Sequence, residues 1–185
     1  MHHGHLIVAQ SAVEQLALDH VRFVPTWRQP FKEAGHESSP EHRLAMLEAA
    51  VAGDPRLRVD PVEVNRRGTS FTVETLRSLA VVFPDDRLFL LVGADAARDL
   101  PLWKEAEAIG DLADVVALTR PRVAAPQDAY VDRWIPVPSI DISATDIRHR
   151  VKSGRSIRYL VPPSVREYID ANKLYLEGAE CSKDS

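Results

Sequence analysis

Arg87-Leu88-Phe89-Leu90-Leu91-Val92-Gly93-Ala94-Asp95 is an apolar run closed by a glycine and a carboxylate. A run without polar alternation marks a strand covered on both faces, as in a parallel sheet. Helices are predicted on either side of it. Thr72 caps one over Val73–Val82, stopped by Phe83-Pro84, and Trp103–Leu112 reads as another before a second strand at Val115–Leu118. Further out the alternation repeats. Leu6–Leu18 carries an amphipathic stripe, and Val21-Arg22-Phe23-Val24 is a short strand stopped by Pro25. Thr26–Ser39 reads as a mobile surface loop. Ser39-Pro40 opens a helix over Glu41–Ala52, and Leu57–Val64 alternates as a strand. Trp134–Val137 is a short extended piece, followed by helices over Ser143–Lys152 and Ser164–Leu174. Pro162-Pro163 and the box Ser164-x-x-Glu167 open the second of these. Strands and helices alternating at this spacing predict an α/β fold with a mainly parallel sheet.

The chain has 185 residues, with 23 Lys+Arg against 27 Asp+Glu, a net charge of -4 and 45% hydrophobic residues. That composition suits one core, so a single domain over 1–176 is expected, with 177–185 a polar tail. A mildly acidic chain argues against a dedicated nucleic-acid binder. Cys181 is the single cysteine, which excludes a disulfide framework and points to a reducing cytoplasm. The apolar runs are far shorter than the ~20 residues of a membrane helix, so no membrane partner is expected. The start lacks the Lys/Arg residues of a signal peptide.

Two motifs carry the chemistry. His2-His3-Gly4-His5 stands directly before an amphipathic helix. A helix N-terminus offers unbonded N–H groups and the positive end of a dipole, so it favours phosphate. Imidazoles there add donors, and Gly4 allows a flat ring close to the backbone. Taken alone, the histidines fit an expression-tag remnant equally well. The second motif is Ile142-Ser143-Ala144-Thr145-Asp146-Ile147-Arg148. Ser143 caps a helix, Thr145 lies in its first turn, and Arg148 has to reach back over the helix end to touch an anion. A capped helix with a nearby arginine is common by itself. Paired with HxGH far upstream, it is specific.

On these two motifs the chain resembles the bacterial nicotinate mononucleotide adenylyltransferases of the HxGH nucleotidyltransferase superfamily. Intermediate stretches carry the same resemblance: Phe23-Val24-Pro25 through Pro30-Phe31-Lys32, Ser70-Phe71-Thr72 with Thr75-Leu76, Gly93-Ala94-Asp95 with Leu100-Pro101-Leu102-Trp103, and Thr119-Arg120-Pro121. It spans nearly the whole chain. The fold it implies is a Rossmann-like, doubly wound, mainly parallel sheet of the nucleotidyltransferase type. The reaction it implies joins the AMP part of ATP to nicotinate mononucleotide, giving nicotinate adenine dinucleotide and pyrophosphate for NAD biosynthesis.

The resemblance also implies roles. His2, His5 and Arg148 are the catalytic set. ATP is held by His2, Gly4, His5, Gly93, Asp95, Arg120, Ile142, Ser143, Thr145 and Arg148, with Asp95 on a ribose hydroxyl and Arg120 on the adenine side. Nicotinate mononucleotide falls to Lys32, Thr72, Trp103 and Lys104. Trp103 stacks on the pyridine, backbone amides near Thr72 and Lys104 receive the carboxylate, and Lys32 reaches the phosphate. Mg²⁺ rides on the ATP phosphates, with no protein metal cage. Whether the protein forms a homo-oligomer is left open. Without the resemblance, Trp103 would read as a core aromatic and Asp95 as a loop carboxylate. His20, His36, His42 and His149 show no metal spacing.

Two departures from the family pattern shape the expectations. Phe71 stands where Tyr is commoner, removing one hydroxyl. The family's first strand and Gly-Gly-Thr-Phe-Asp-Pro loop come before the histidines, and here nothing precedes Met1-His2. The chain as written is therefore expected to be less stable and close to inactive beside an extended form. Two alternatives stand beside the main reading: a phosphopantetheine adenylyltransferase-type enzyme, which shares both end motifs, and an inactive nucleotide-binding relic.

Overall fold

Strands pair in parallel throughout the computed structural model of the chain, which describes residues 1–30, 38–119 and 129–176. In chain order the elements are α1 (His3–Leu16), β1 (Val21–Phe23), α2 (Pro40–Val51), β2 (Leu57–Val59), α3 (Val62–Arg66), α4 (Thr72–Val82), β3 (Phe89–Gly93), α5 (Ala94–Arg98), a 3-10 turn (Leu100–Leu102), α6 (Ala106–Leu112), β4 (Asp114–Thr119), β5 (Arg133–Pro136), α7 (Ala144–Lys152) and α8 (Pro163–Ala171). Of the loop expected over Thr26–Ser39, residues 31–37 lie outside the described residues, as do the tail expected over 177–185, Lys32 and Arg120.

The chain divides into two units, each with its own sheet and core. The first holds α1, β1, α2, β2, α3, α7 and α8. Its strands β1 and β2 pair with Val21 opposite Leu57. Its core gathers Met46, Ile147, Ile157, Val161, Val165 and Ile169, with Met1 and Ile142 packed against it. The Ser39 hydroxyl accepts from the His42 N–H, and Pro40 follows in the first helical position, so α2 starts as expected. The His42 ring meets the Tyr168 hydroxyl at 2.9 Å, tying α2 to α8.

The second unit holds α4 to α6 and the three-stranded sheet β3-β4-β5. Leu90 pairs with Val115 and Leu118 with Ile135, so β4 is central, and Val115, Val116 and Ala117 are buried in it. The core collects Val73, Leu76, Val92, Leu100, Ile109 and Val115, with Phe71, Trp103 and Trp134 packed on its edge.

Four expectations about local structure are corrected. The strand predicted over Leu57–Val64 ends at Val59, because Asp60 Oδ1 accepts the Val62 N–H and Pro61 turns the chain into α3. Thr72 is the first residue of α4 rather than its cap; Phe71 occupies the cap position without a side-chain bond. Ser164 builds no capping box, since its hydroxyl donates to the Ala49 carbonyl at 2.7 Å and pins α8 to α2. The helix expected from Trp103 begins only at Ala106, because Glu105 takes a left-handed conformation (φ 51°).

Candidate functional site

The start of α1 is built around two stacked imidazoles. His2 is the cap residue in extended conformation, and its carbonyl accepts the His5 N–H at 3.0 Å. In return the His2 N–H donates to His5 Nδ1 at 3.4 Å, and the ring centroids stand 3.8 Å apart. The His3 N–H donates to the Leu160 carbonyl at 3.0 Å and anchors the helix start. Space favours glycine at position 4. A Cβ at that position would stand 3.0 Å from His2 Nδ1 and 3.1 Å from its Cε1.

Both rings are held neutral. Burial, followed by the neighbouring His5 and terminal charges, pushes His2 down to about 3. Burial and the terminal amino group push His5 down to about 4, although part of that ring faces solvent. A neutral ring whose Nδ1 accepts a hydrogen bond carries its proton on Nε2, so His5 presents an N–H donor. His2 is buried, and its Nδ1 has no hydrogen-bond partner among the described residues. A buried polar atom left in that state is costly unless a ligand or water completes it.

The start of α7 lies in the same unit. The Ser143 hydroxyl accepts from the Asp146 N–H at 3.0 Å, as its cap position predicts. Arg148 folds back over the first turn and donates to Thr145 Oγ1 at 3.2 Å, the reach the spacing requires. The Asp146 carboxylate, which would repel an anion there, is occupied by Arg150 at 2.8 Å, and that hydrogen bond lowers its pKa. The two helix starts are neighbours: Met1 and Ile142 both pack against the core that includes Ile147, and a Cβ on Gly4 would lie 3.8 Å from Ile140 Cγ2. The first unit thus joins His2, Gly4, His5, Ile142, Ser143, Thr145 and Arg148. Neutral donors and a guanidinium at two helix N-termini suit a chain of phosphates.

The remaining described candidates belong to the second unit. Gly93 ends β3, and Asp95 follows in α5 with its side chain 98% exposed and 3.8 Å from Arg98. This is the carboxyl end of a parallel strand, where open α/β sheets receive ligands. Thr72 opens α4, so its backbone N–H lies in the first turn, where helical acceptors are missing. Trp103 packs on the core with one part of its ring left accessible. Lys104 extends its ammonium to Glu74 at 2.6 Å and over the Phe71 ring at 4.5 Å. Glu74 escaped sequence reading because the pair is separated by 30 positions and nothing local signals it. Among the described residues, no group of three or more His, Cys, Asp or Glu is placed to hold a metal ion, and no helix is long and apolar enough to cross a membrane.

Comparison with known proteins gives the family. A model of the family described as cytidylyltransferase-like matches residues 1–150. A protein of Gemmatimonas aurantiaca, named "probable nicotinate-nucleotide adenylyltransferase", is 41% identical over 100% of this chain and 91% of its own length. One of Thermus thermophilus with the same name is 42% identical over 95% of this chain and 93% of its own. Among solved structures, the Plasmodium falciparum nicotinic acid mononucleotide adenylyltransferase complexed with NaAD superposes with a TM-score of 0.76 at 15% identity, covering 95% of this chain and 91% of that one, and shares the fold. The chain belongs to the cytidylyltransferase-like nucleotidyltransferases and, within them, to the nicotinate-nucleotide adenylyltransferase family. It is an enzyme of NAD biosynthesis with the Rossmann-like fold expected of that class.

Proposed function

We propose that the protein transfers the AMP moiety of ATP to nicotinate mononucleotide, releasing nicotinate adenine dinucleotide and pyrophosphate. The observation that supports this reading is that one unit holds His2 and His5 at one helix start and Ser143, Thr145 and Arg148 at another. A phosphate oxygen of the mononucleotide attacks the α-phosphorus, and the bond from that phosphorus to the bridging oxygen breaks. The electron pair leaves on pyrophosphate. The attacking oxygen is already nucleophilic, so the protein supplies position and charge neutralisation rather than a covalent intermediate.

In this reading His5 donates from Nε2 to the ATP phosphates, and His2 completes its buried Nδ1 against the same group. Arg148 and Thr145 hold the departing pyrophosphate, while the α7 dipole favours its negative charge. We assign the Mg²⁺ of MgATP its ligands from phosphate and water. The metal offsets charge on the phosphates when MgATP is bound. Asp95 accepts from a ribose hydroxyl and Gly93 leaves room beside it. Trp103 stacks on the pyridinium, a contact worth ~0.5–2 kcal/mol. N–H groups at Thr72 and Lys104 receive the carboxylate, and Lys32 and Arg120 complete the phosphate and adenine contacts. We place the reaction in the cytoplasm, on the ground that a chain with a single cysteine, Cys181, can form no internal disulfide.

The test is dinucleotide formation by the full-length enzyme from ATP and nicotinate mononucleotide, with pyrophosphate followed in parallel. Equal amounts of both products support the reading. Pyrophosphate release without dinucleotide would reduce the protein to a nucleotide hydrolase and overturn it.

A further inference from the structure

The segment Trp103-Lys104-Glu105 has no regular structure of its own. It joins the 3-10 turn at Leu100–Leu102 to α6; the Trp103 N–H donates to the Leu100 carbonyl at 2.9 Å, and the Glu105 carbonyl accepts the Ala108 N–H at 3.0 Å. Its last residue is strained. Glu105 sits at φ 51°, ψ 48°, a left-handed conformation that L-residues with a side chain adopt at a cost. Such backbone persists where the surroundings hold it, and it concentrates at ligand sites.

The holding groups come from α4. Glu74 Oε1 accepts from Lys104 Nζ at 2.6 Å, and one helical turn on, Arg77 donates twice to the Glu105 carboxylate, at 2.6 and 3.3 Å. The second pair is the fork-to-fork arrangement that fixes direction as well as distance. The Arg77 hydrogen bond also lowers the Glu105 pKa, so the carboxylate stays ionised. The Lys104 ammonium lies over the Phe71 ring, and Phe71 is the cap residue of α4, immediately before Thr72. One helix therefore grips two successive residues after Trp103 and also presents Thr72.

Stability does not account for these pairs. The side chains of Glu74, Lys104, Arg77 and Glu105 are 34%, 42%, 48% and 44% exposed. Ion pairs exposed to this degree contribute little to folding, because solvent screens them and two long side chains must be ordered. What they do achieve is to fix a strained connector carrying an accessible indole. They also dispose of a charge. A bare ammonium beside a pyridinium cation would repel it, and Glu74 neutralises Lys104 at that place.

We propose that Glu74 and Arg77 are positioning residues for nicotinate mononucleotide, acting through Lys104 and Glu105 to hold Trp103 and the Lys104 amide in register with Thr72. The inference rests on the reading that Trp103 and Lys104 hold the mononucleotide, and its test keeps the two apart.

Steady-state kinetics on the full-length enzyme would compare Glu74→Gln, Arg77→Met, Lys104→Met, the Glu74→Gln/Lys104→Met pair and Trp103→Ala. The expected result for Glu74→Gln and Arg77→Met is a mononucleotide KM raised about 5–10-fold, with kcat and the ATP KM within about 2-fold, because uniform binding is lost without loss at the reacting phosphates. Melting temperatures stay close to the parent, as exposed pairs predict. Adding Glu74→Gln to Lys104→Met costs nothing further, since the carboxylate acts through the ammonium. Glu74→Asp, which keeps the charge, restores part of the affinity. An unchanged mononucleotide KM in Glu74→Gln and Arg77→Met, with Trp103→Ala raising it, overturns the inference and leaves the pyridine site standing. An unchanged KM in Trp103→Ala removes the site and the inference together. Additive effects in the double variant, or a lowered melting point as the only change, also overturn it.

Discussion

The imidazoles of His2 and His5 lie 3.8 Å apart between centroids, inclined by 32°, with only Gly4 offering the backbone clearance that the first ring needs. This relationship makes the HxGH spacing a packing requirement as well as a chemical one. Gly4→Ala measures it. Alanine gains up to ~1 kcal/mol of helix propensity over glycine, so on backbone terms alone the variant would be more stable. Its Cβ would nevertheless stand 3.0 Å from His2 Nδ1, and the ring must shift. The expected outcome is a melting temperature near the parent and kcat/KM for ATP lowered ~10–100-fold, in line with losing one well-placed donor. Thermal melts and initial rates on the same preparation check both halves.

Neutral histidines give the protein an acid-side weakness. His2 is held to about 3 and His5 to about 4 in the folded state, against about 6.5 unfolded. The unfolded chain therefore binds more protons between these values, and stability falls as pH drops from about 6.5 toward 4. For buried His2 the loss between pH 6.5 and 5 has an upper bound of about 2 kcal/mol. Carboxylates held low by arginines, such as Asp114 beside Arg87, respond only at more acid pH. Melting at pH 7 and pH 5 should show a drop in the parent that is smaller in His2→Gln, with His5 supplying the remainder. Equal drops in both would assign the sensitivity elsewhere.

Arg148→Lys tests the arginine's geometry. Its guanidinium reaches back to Thr145 Oγ1, and a lysine ammonium is a point charge without the planar fork. The ATP KM should rise by about tenfold or more, the scale of one charge-assisted hydrogen bond. The mononucleotide KM should stay near the parent value. A rise confined to the mononucleotide would move Arg148 to the other substrate.

Arg43 is the corresponding test of structure. From α2 it donates to the carbonyls of Thr26, Trp27 and Ser38 at 2.5, 3.0 and 3.4 Å. Burial lowers its pKa without threatening its charge. Arg43→Ala removes these hydrogen bonds and should cost about 2–3 kcal/mol in denaturant unfolding. Arg43→Lys makes fewer of them and should fall between.

Much of this was legible in the sequence where the cause is local. The apolar run ending at Gly93 became β3, Ser39-Pro40 opened α2, and Ser143 capped α7 with Arg148 turned back, because each depends on a few adjacent residues. Where a nearby side chain redirected the backbone, the pattern misled. Val62 and Val64 alternate as Leu57 and Val59 do, though one residue out of step, but Asp60 and Pro61 had already begun a helix. Contacts far apart in the chain left no trace. The burial of His2, the Ser164 bond to Ala49 and the grip of Glu74 on Lys104 depend on the folded arrangement.

The most direct measurement is kcat/KM for nicotinate against nicotinamide mononucleotide, at saturating MgATP with the full-length enzyme. In the proposed site the N–H groups at Thr72 and Lys104 donate to the carboxylate, whereas a carboxamide sets its own N–H groups against them. A hydrogen-bonding site deprived of its charged partner loses ~1.5–3 kcal/mol, so the account predicts a preference for nicotinate of about tenfold or more. Equal values for the two mononucleotides would contradict it.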